Sequence, residues 1–235
     1  MEITKMRENL KAKLAPSGWD RVLSDFIDSD EFYLLMTNLK RADETTGITP
    51  TISEVFRVFY ECPYKDLCIV TVCQDPYPDE GVADGLAFSD KHTQGIVQPS
   101  LKVIFEEVQE TVYASKGEDW YSWDPDLKRW ANQGILLLNT AMTTEPGKIA
   151  VHCEMWKPFI KYLFTKLADM NSGLIYVFIG NGAKEWAKMT PESNHKFYCY
   201  HPSAAFHSGI PWESNDVFNR ANEILEGNNG TKIIW

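Results

Sequence analysis

The chain of 235 residues has no long hydrophobic run. Its longest apolar stretch, Leu174 to Ile179, is far short of the roughly 20 residues that span a bilayer, so no transmembrane helix and no membrane partner is expected. The first residues, MEITKMRENLKAKL, mix charge with apolar side chains and lack the apolar core of a secretory leader. Cysteine is sparse and unpatterned. Cys62, Cys68, Cys73, Cys153 and Cys199 are odd in number and form no Cys-x-x-Cys spacing, which reads as reduced thiols of a cytosolic or nuclear protein. His152 and Cys153 are adjacent but have no second ligand pair, so no metal site is expected. Positive charge is also scarce. Lys plus Arg number 23 against 33 Asp plus Glu, a net charge of −10 that argues against a broad basic coat for nucleic acid or membrane. There is no internal repeat and no low-complexity segment, and 44% apolar residues suit one globular core.

The acidic excess is uneven. Residues 1–90 hold 9 basic and 17 acidic residues, whereas 139–212 hold 7 Lys, 5 acidic residues and four of the five histidines. The periodicity predicts helices over 2–14 and 20–41, a polar connection over 42–51, and a short helix from Ser53 to Tyr60. LCIVTV (67–72), GILLLN (134–139), GLIYVFIG (173–180) and KFYCY (196–200) read as strands of one character, continuous runs buried on both faces as in a parallel sheet. Helical patterns at Leu101–Val112, Met155–Met170 and Asp216–Leu225 alternate with them, which predicts an α/β domain with a mainly parallel sheet. Such sheets build their sites beyond the carboxyl ends of the strands. Those ends carry Gln74-Asp75-Pro76-Tyr77-Pro78, Asn139-Thr140, Gly180-Asn181-Gly182 and His201-Pro202-Ser203. An Asp and a His at two separate strand ends are a plausible hydrolytic pair.

CQDPYPDEGVADGLAFS (73–89) resembles the water-activating segment of the family 1 uracil-DNA glycosylases, usually read GQDPYH…GLAFS. In the same order, QPSLKVIFEEV resembles that family's proline-serine loop and helix, GILLLNTAMT its LLLNT segment, VFIGNGAKEWAK its glycine-serine loop, HPSAAF its HPSPLS segment, and TKIIW its closing I-x-W. The likeness runs from about residue 45 to 235, with a weaker helical match before it. It implies a three-layer α/β/α fold with a central, mainly parallel four-stranded sheet, in a single domain over 1–235 whose residues 1–44 form an N-terminal helical part.

The resemblance also implies roles. Asp75, held extended by Pro76, would stabilise a cationic sugar and position the attacking water. His201, neutral, would donate to the O2 of the departing uracil anion. Asn139 would accept from N3–H and donate to O4, a pattern that cytosine reverses. The backbone amide of Gln74 would meet the base. Phe88 would stack on the flipped base, or else pack in the core, and Tyr77 would stand against C5 and exclude thymine. Pro99, Ser100, Gly180, Asn181 and Ser203 fit pinching of the DNA backbone, and His152 corresponds to a histidine near a phosphate.

Some positions depart from the family pattern. Pro78 replaces the histidine of QDPYH, and Cys73 replaces a glycine. Asn181 stands where serine is usual, and the proline-serine loop is thinner. The leucine that fills the vacated base stack is missing. Ala205 occupies its place, and the neighbouring Phe206 is the expected wedge.

The expected function is monofunctional excision of uracil from DNA by hydrolysis in base excision repair, with neither metal nor organic cofactor and no lysine for a lyase step. Alternatives are a glycosylase for a modified pyrimidine and a replication accessory protein retaining the fold. Expected partners are single- or double-stranded DNA containing uracil, a proteinaceous glycosylase inhibitor or replication proteins. The protein is expected to be a monomer in the cytoplasm of a bacterium or virus-infected cell, or in a eukaryotic nucleus.

Overall fold

A computed structural model describes residues 2–115, 123–170, 173–208 and 211–235. Four five-residue strands, β1 (Ile69–Cys73), β2 (Ile135–Asn139), β3 (Ile175–Ile179) and β4 (His195–Cys199), form one sheet in the order β2-β1-β3-β4, every pairing parallel. All residues of β1, β2 and β3 are buried, as a sheet covered on both faces requires. β4 (His195–Cys199), expected to be buried on both faces like the others, is instead the edge strand and mixes buried with exposed residues. Register aligns Ile69 with both Ile135 and Ile175, so the three strands end level. The strand order reverses direction between β1 and β3, and a crevice opens at such a switch point, beyond the strands' carboxyl ends.

The helices are α1 (Glu2–Leu14), α2 (Trp19–Asp28), α3 (Asp30–Thr45), α4 (Arg57–Glu61), α5 (Pro99–Thr111), α6 (Lys128–Ala131), α7 (Cys153–Met170), α8 (Asn181–Lys184), α9 (Ala204–Ser208) and α10 (Val217–Asn229). Ile69, Ile135 and Val177 meet side chains of α5, α6 and α10 on one sheet face. On the other face Phe164 of α7 packs on Tyr176, with ring centroids 6.0 Å apart. α2 and α3 pack outside α7, joined through Phe26 and Phe159 at 5.1 Å. One contiguous apolar core runs from Leu10 to Trp235. The closing segment belongs to it: Trp235 meets Trp130 and Phe218 edge-on, and Asn222 brackets Ile233 with two backbone hydrogen bonds. No described helix is long and apolar enough to cross a membrane.

Three expectations need correction. The single helix over 20–41 is two helices, broken at Ser29, whose backbone is extended (ψ 165°) and whose Oγ caps α3 by accepting from Phe32 N at 3.2 Å. α3 then continues through Thr45, into the stretch expected as a connection. The helix expected from Ser53 spans only Arg57–Glu61. The apolar periodicity crosses these boundaries without a break, so capping decides them.

Candidate active site

The strand ends enclose a cleft of about 410 Å³. Its lining includes Gln74, Asp75, Tyr77 and Pro78 after β1, Asn139 at the end of β2, Gly180 and Asn181 after β3, and His201 and Ser203 after β4. Phe88 and Ser100 complete the wall. Ten of the fourteen expected site residues therefore meet in one cavity, although they come from six separate stretches of chain.

Asp75 is half-buried. Its Oδ2 accepts from the backbone N–H of Ala150 at 2.6 Å, and its Oδ1 accepts from Gln74 Nε2 at 3.3 Å. Burial raises its pKa, and the Ala150 bond, the Gln74 bond and nearby His201 oppose that rise. Ala150 presents its amide from a left-handed backbone, φ 60°, a conformation that few non-glycine residues adopt. Gly147 N also donates to the Pro78 carbonyl at 2.8 Å, so the 147–150 loop is fastened to the loop after β1 at two points. The Gln74 carbonyl accepts from Ala141 N at 2.7 Å and Thr140 Oγ1 at 3.2 Å, which locks the ends of β1 and β2 together. Cys73 fits at the strand end with 3% exposure, and burial pushes its thiol pKa up.

The hydrogen bonds of His201 assign its tautomer. Ser203 N lies 3.2 Å from Nδ1, and a backbone amide can only donate. Nδ1 is therefore the acceptor, and the ring proton of the neutral imidazole sits on Nε2. Ser203 Oγ, 2.8 Å from the same nitrogen, adds to the fixation. The residue keeps an open face at the cleft, yet enough protein surrounds the ring that burial lowers its pKa, with Asp75 pulling the other way. At neutral pH the ring is an uncharged N–H donor. Gly180 approaches it closely: its backbone, φ 85°, is a glycine conformation, and a Cβ there would stand 3.5 Å from the His201 Cβ.

Phe88 lies on the opposite wall, its ring centroid 5.5 Å from that of His201. It also has a left-handed backbone, φ 63°. The surroundings hold it there. Tyr77 Oη donates to the Phe88 carbonyl at 3.1 Å. Asp84, fully buried, accepts from Leu86 N, Ser89 Oγ and Lys91 N, and Arg57 Nη1 stands 2.6 Å from its Oδ2. Gly85 presses against Glu54, where a Cβ would fall 2.1 Å from the carbonyl oxygen. Asn139 is 7% exposed, and its carboxamide faces the cleft with no hydrogen-bond partner among the described residues.

A family model described as the uracil DNA glycosylase superfamily matches residues 59–226. This chain belongs to that superfamily. It is 31% identical to the uracil-DNA glycosylase 1 of Listeria innocua over 92% of this chain and 96% of that one. It is also 31% identical to the uracil-DNA glycosylase of Chlamydia trachomatis serovar D over 98% and 99% of the two chains. The crystal structure of mimivirus uracil-DNA glycosylase superposes with a TM-score of 0.80 at 23% identity, covering 94% of this chain and 86% of that one. The superfamily's fold and the observed sheet agree.

Four expected DNA-contacting residues lie outside the cleft lining. Pro99 is exposed at the first position of α5, next to the lining Ser100. Phe206 projects from α9 with 52% exposure, while Ala205 is half-buried against the core. His152 is held by its neighbours. It is 4% exposed, with Nδ1 3.0 Å from Thr143 Oγ1, which also accepts from Trp156 Nε1 at 2.8 Å. His152 packs beneath the loop that carries Ala150.

Sequence reading missed Ala150, Gly182, Arg57 and Asp84. Only Arg57 left a signal: a lone cation within VFRVF has to find a carboxylate if that segment is buried. Gly182 lies so close to Gln74 that a Cβ would stand 2.0 Å from Gln74 Oε1. Ala150 acts through its backbone, which its residue type does not reveal.

Proposed function

We propose that this chain excises uracil from DNA. Water attacks C1′ of an extruded deoxyuridine, the C1′–N1 bond breaks, and its electron pair leaves with the base as a uracil anion. The water proton passes through Asp75 to solvent, leaving an abasic site. The observation that carries this reading is the fixed pair of opposite electrostatic character in one cleft: a carboxylate held by two hydrogen bonds and a neutral Nε2–H donor held by Ser203. The carboxylate stabilises the oxocarbenium character that grows on the sugar, and the donor stabilises charge on the base O2. Both are oriented before substrate arrives, so little reorganisation remains for the reaction itself.

Asn139 reads the base. Its buried, unengaged carboxamide satisfies the N3–H and O4 of uracil, whereas cytosine leaves donor facing donor. Phe88 supplies the stacking face, and Tyr77, pinned by its bond to the Phe88 carbonyl, walls off a C5 substituent. Ser100 at the start of α5, together with the Gly180-Asn181 turn and Ser203, receives DNA phosphates, a role that suits small polar groups and a helix start. Phe206 enters the duplex in place of the extruded base. A variant of the mimivirus relative has been crystallised in complex with UGI, which supports a proteinaceous inhibitor as a partner of this chain.

The test uses end-labelled oligonucleotides that carry a single U, T, C or C5-substituted uracil, followed by alkali to cleave abasic sites. Product from U alone is expected. No product from U rejects the reading, and product chiefly from the C5-substituted base moves the substrate to a modified pyrimidine.

A further inference from the structure

The outer end of the β3–β4 side carries an aromatic and basic cluster that excision itself does not use. Tyr198 and Tyr200 are two positions apart at the end of edge strand β4, 43% and 66% exposed. Tyr198 lies in β4 and Tyr200 directly follows its last residue, Cys199. The Tyr198 ring is fixed by stacking on Phe178 of β3, centroids 5.4 Å apart and planes 19° from parallel. Tyr200 is anchored through its carbonyl, which accepts from Trp212 Nε1 at 2.8 Å. The Lys184 ammonium lies 5.1 Å from the Tyr200 ring centroid and pairs with no carboxylate among the described residues. Its neighbour Glu185 faces the other way, toward Cys153 and Lys157 on α7.

This cluster is continuous with the cleft. Tyr200 immediately precedes His201, and Lys184 follows Gly182 by two residues. Large exposed aromatics cost solubility unless something covers them. Here two exposed aromatic rings lie near the cleft, with the Lys184 ammonium beside the Tyr200 ring. Stacking on an aromatic face is open to any unpaired base and closed to bases stacked within a duplex.

We propose that Tyr200, with Lys184 beside it and Tyr198 beyond, is a stacking platform for an unpaired base flanking the extruded nucleotide, and that it gives the protein affinity for single-stranded DNA. The proposal rests on the reading of the cleft as a DNA site. Lys184 contributes one phosphate contact, and the 66% exposure of Tyr200 leaves ring surface for the base.

The test measures fluorescence anisotropy of a labelled, uracil-free 15-nucleotide single strand and of its matched duplex, with the full-length protein and its variants. Tyr200→Ala is expected to weaken single-strand binding by about tenfold and duplex binding by less than about twofold, with Tyr200→Phe near the parent. Lys184→Ala is expected to flatten the salt dependence by about one counterion. The urea-denaturation midpoint of each variant is expected to match the parent and reports that the variants are folded. Unchanged single-strand affinity in Tyr200→Ala, or equal losses on single strand and duplex, overturns the proposal. Failure of the parent to excise uracil would instead overturn the function, since the anisotropy strands contain none.

Discussion

The two sides of the cleft are built differently. On the β1–β2 side, Asp84, Ser89, Thr143 and Thr144 are fully buried, Asn139 nearly so, and the loops are fastened to one another across the sheet end. Two residues there, Phe88 and Ala150, are held in left-handed backbone. On the β3–β4 side, the hydrogen bonds of His201 among the described residues come from Ser203 within its own turn, and Tyr198, Tyr200 and Phe206 stand open to solvent. The closed side has to present groups to a small planar base, where a displacement of about 1 Å forfeits much of the rate. The open side has to meet a polymer whose conformation varies, and it keeps its surface unspent until DNA arrives. The charge follows the same division: the acidic excess lies in residues 1–90, and the stretch from 139 to 212 is slightly basic. A net charge of −10 is therefore compatible with DNA binding through a few local contacts.

The sharpest way to break the closed side is through the ion pair beneath it. Arg57 and Asp84 have 7% and 0% side-chain exposure, and Arg57 also reaches Asp126 at 2.7 Å. Arg57→Met leaves Asp84 charged and unpaired in the interior and is expected to cost about 3–5 kcal/mol in urea denaturation. A loss under about 1 kcal/mol would mean that the Phe88 loop is held by its backbone alone. A comparable effect, in rate, is expected from the two reacting groups. Asp75→Asn and His201→Leu should each lower the single-turnover excision rate by about 10²–10³-fold. If His201→Leu is the milder by far, the open side contributes binding and little chemistry, and the comparison has to be redrawn.

The open side is tested by Phe206→Ala. Excision from duplex is expected to fall several-fold, while excision from single strands, which have no stack to refill, stays level. Equal rates for variant and parent on duplex would remove Phe206 from the wedge role and leave the vacated stack without a plug.

Local pattern made the strands legible. Four runs rich in β-branched, aromatic and apolar residues, separated by helical periods, fix a parallel sheet, and the rule for strand ends then points to Asp75, Asn139, Gly180 and His201. What local pattern carries poorly is any contact between distant residues. The Arg57–Asp84 pair spans 27 positions and the Asp75–Ala150 bond spans 75. The strand order and the burial of His152 beneath its own loop are likewise products of packing. The break at Ser29 was within reach: Ser-Asp-Glu is a cap followed by two acids at a helix start. The continuous apolar face on either side hides it.

The smallest predicted effect joins the two sides. Gly182, after β3, leaves the space into which Gln74, after β1, folds its side chain to reach Asp75. Gly182→Ala puts a Cβ 2.0 Å from Gln74 Oε1, so the flexible Gln74 side chain has to swing away and its bond to Oδ1 is lost. That bond favours the ionised carboxylate, so losing it raises the Asp75 pKa further in the direction burial already sets. Only ionised Asp75 supports the reaction, and the acid limb of the pH–rate profile should therefore move to higher pH. The limb that belongs to His201, lowered by burial from 6.5, should stay in place, because its hydrogen bonds to Ser203 do not involve Gly182. At pH 8 the rate should approach that of the parent. A uniform loss at every pH, with the limb unmoved, would mean that Gln74 orients Asp75 without tuning its charge, and the two sides would then be coupled by shape alone.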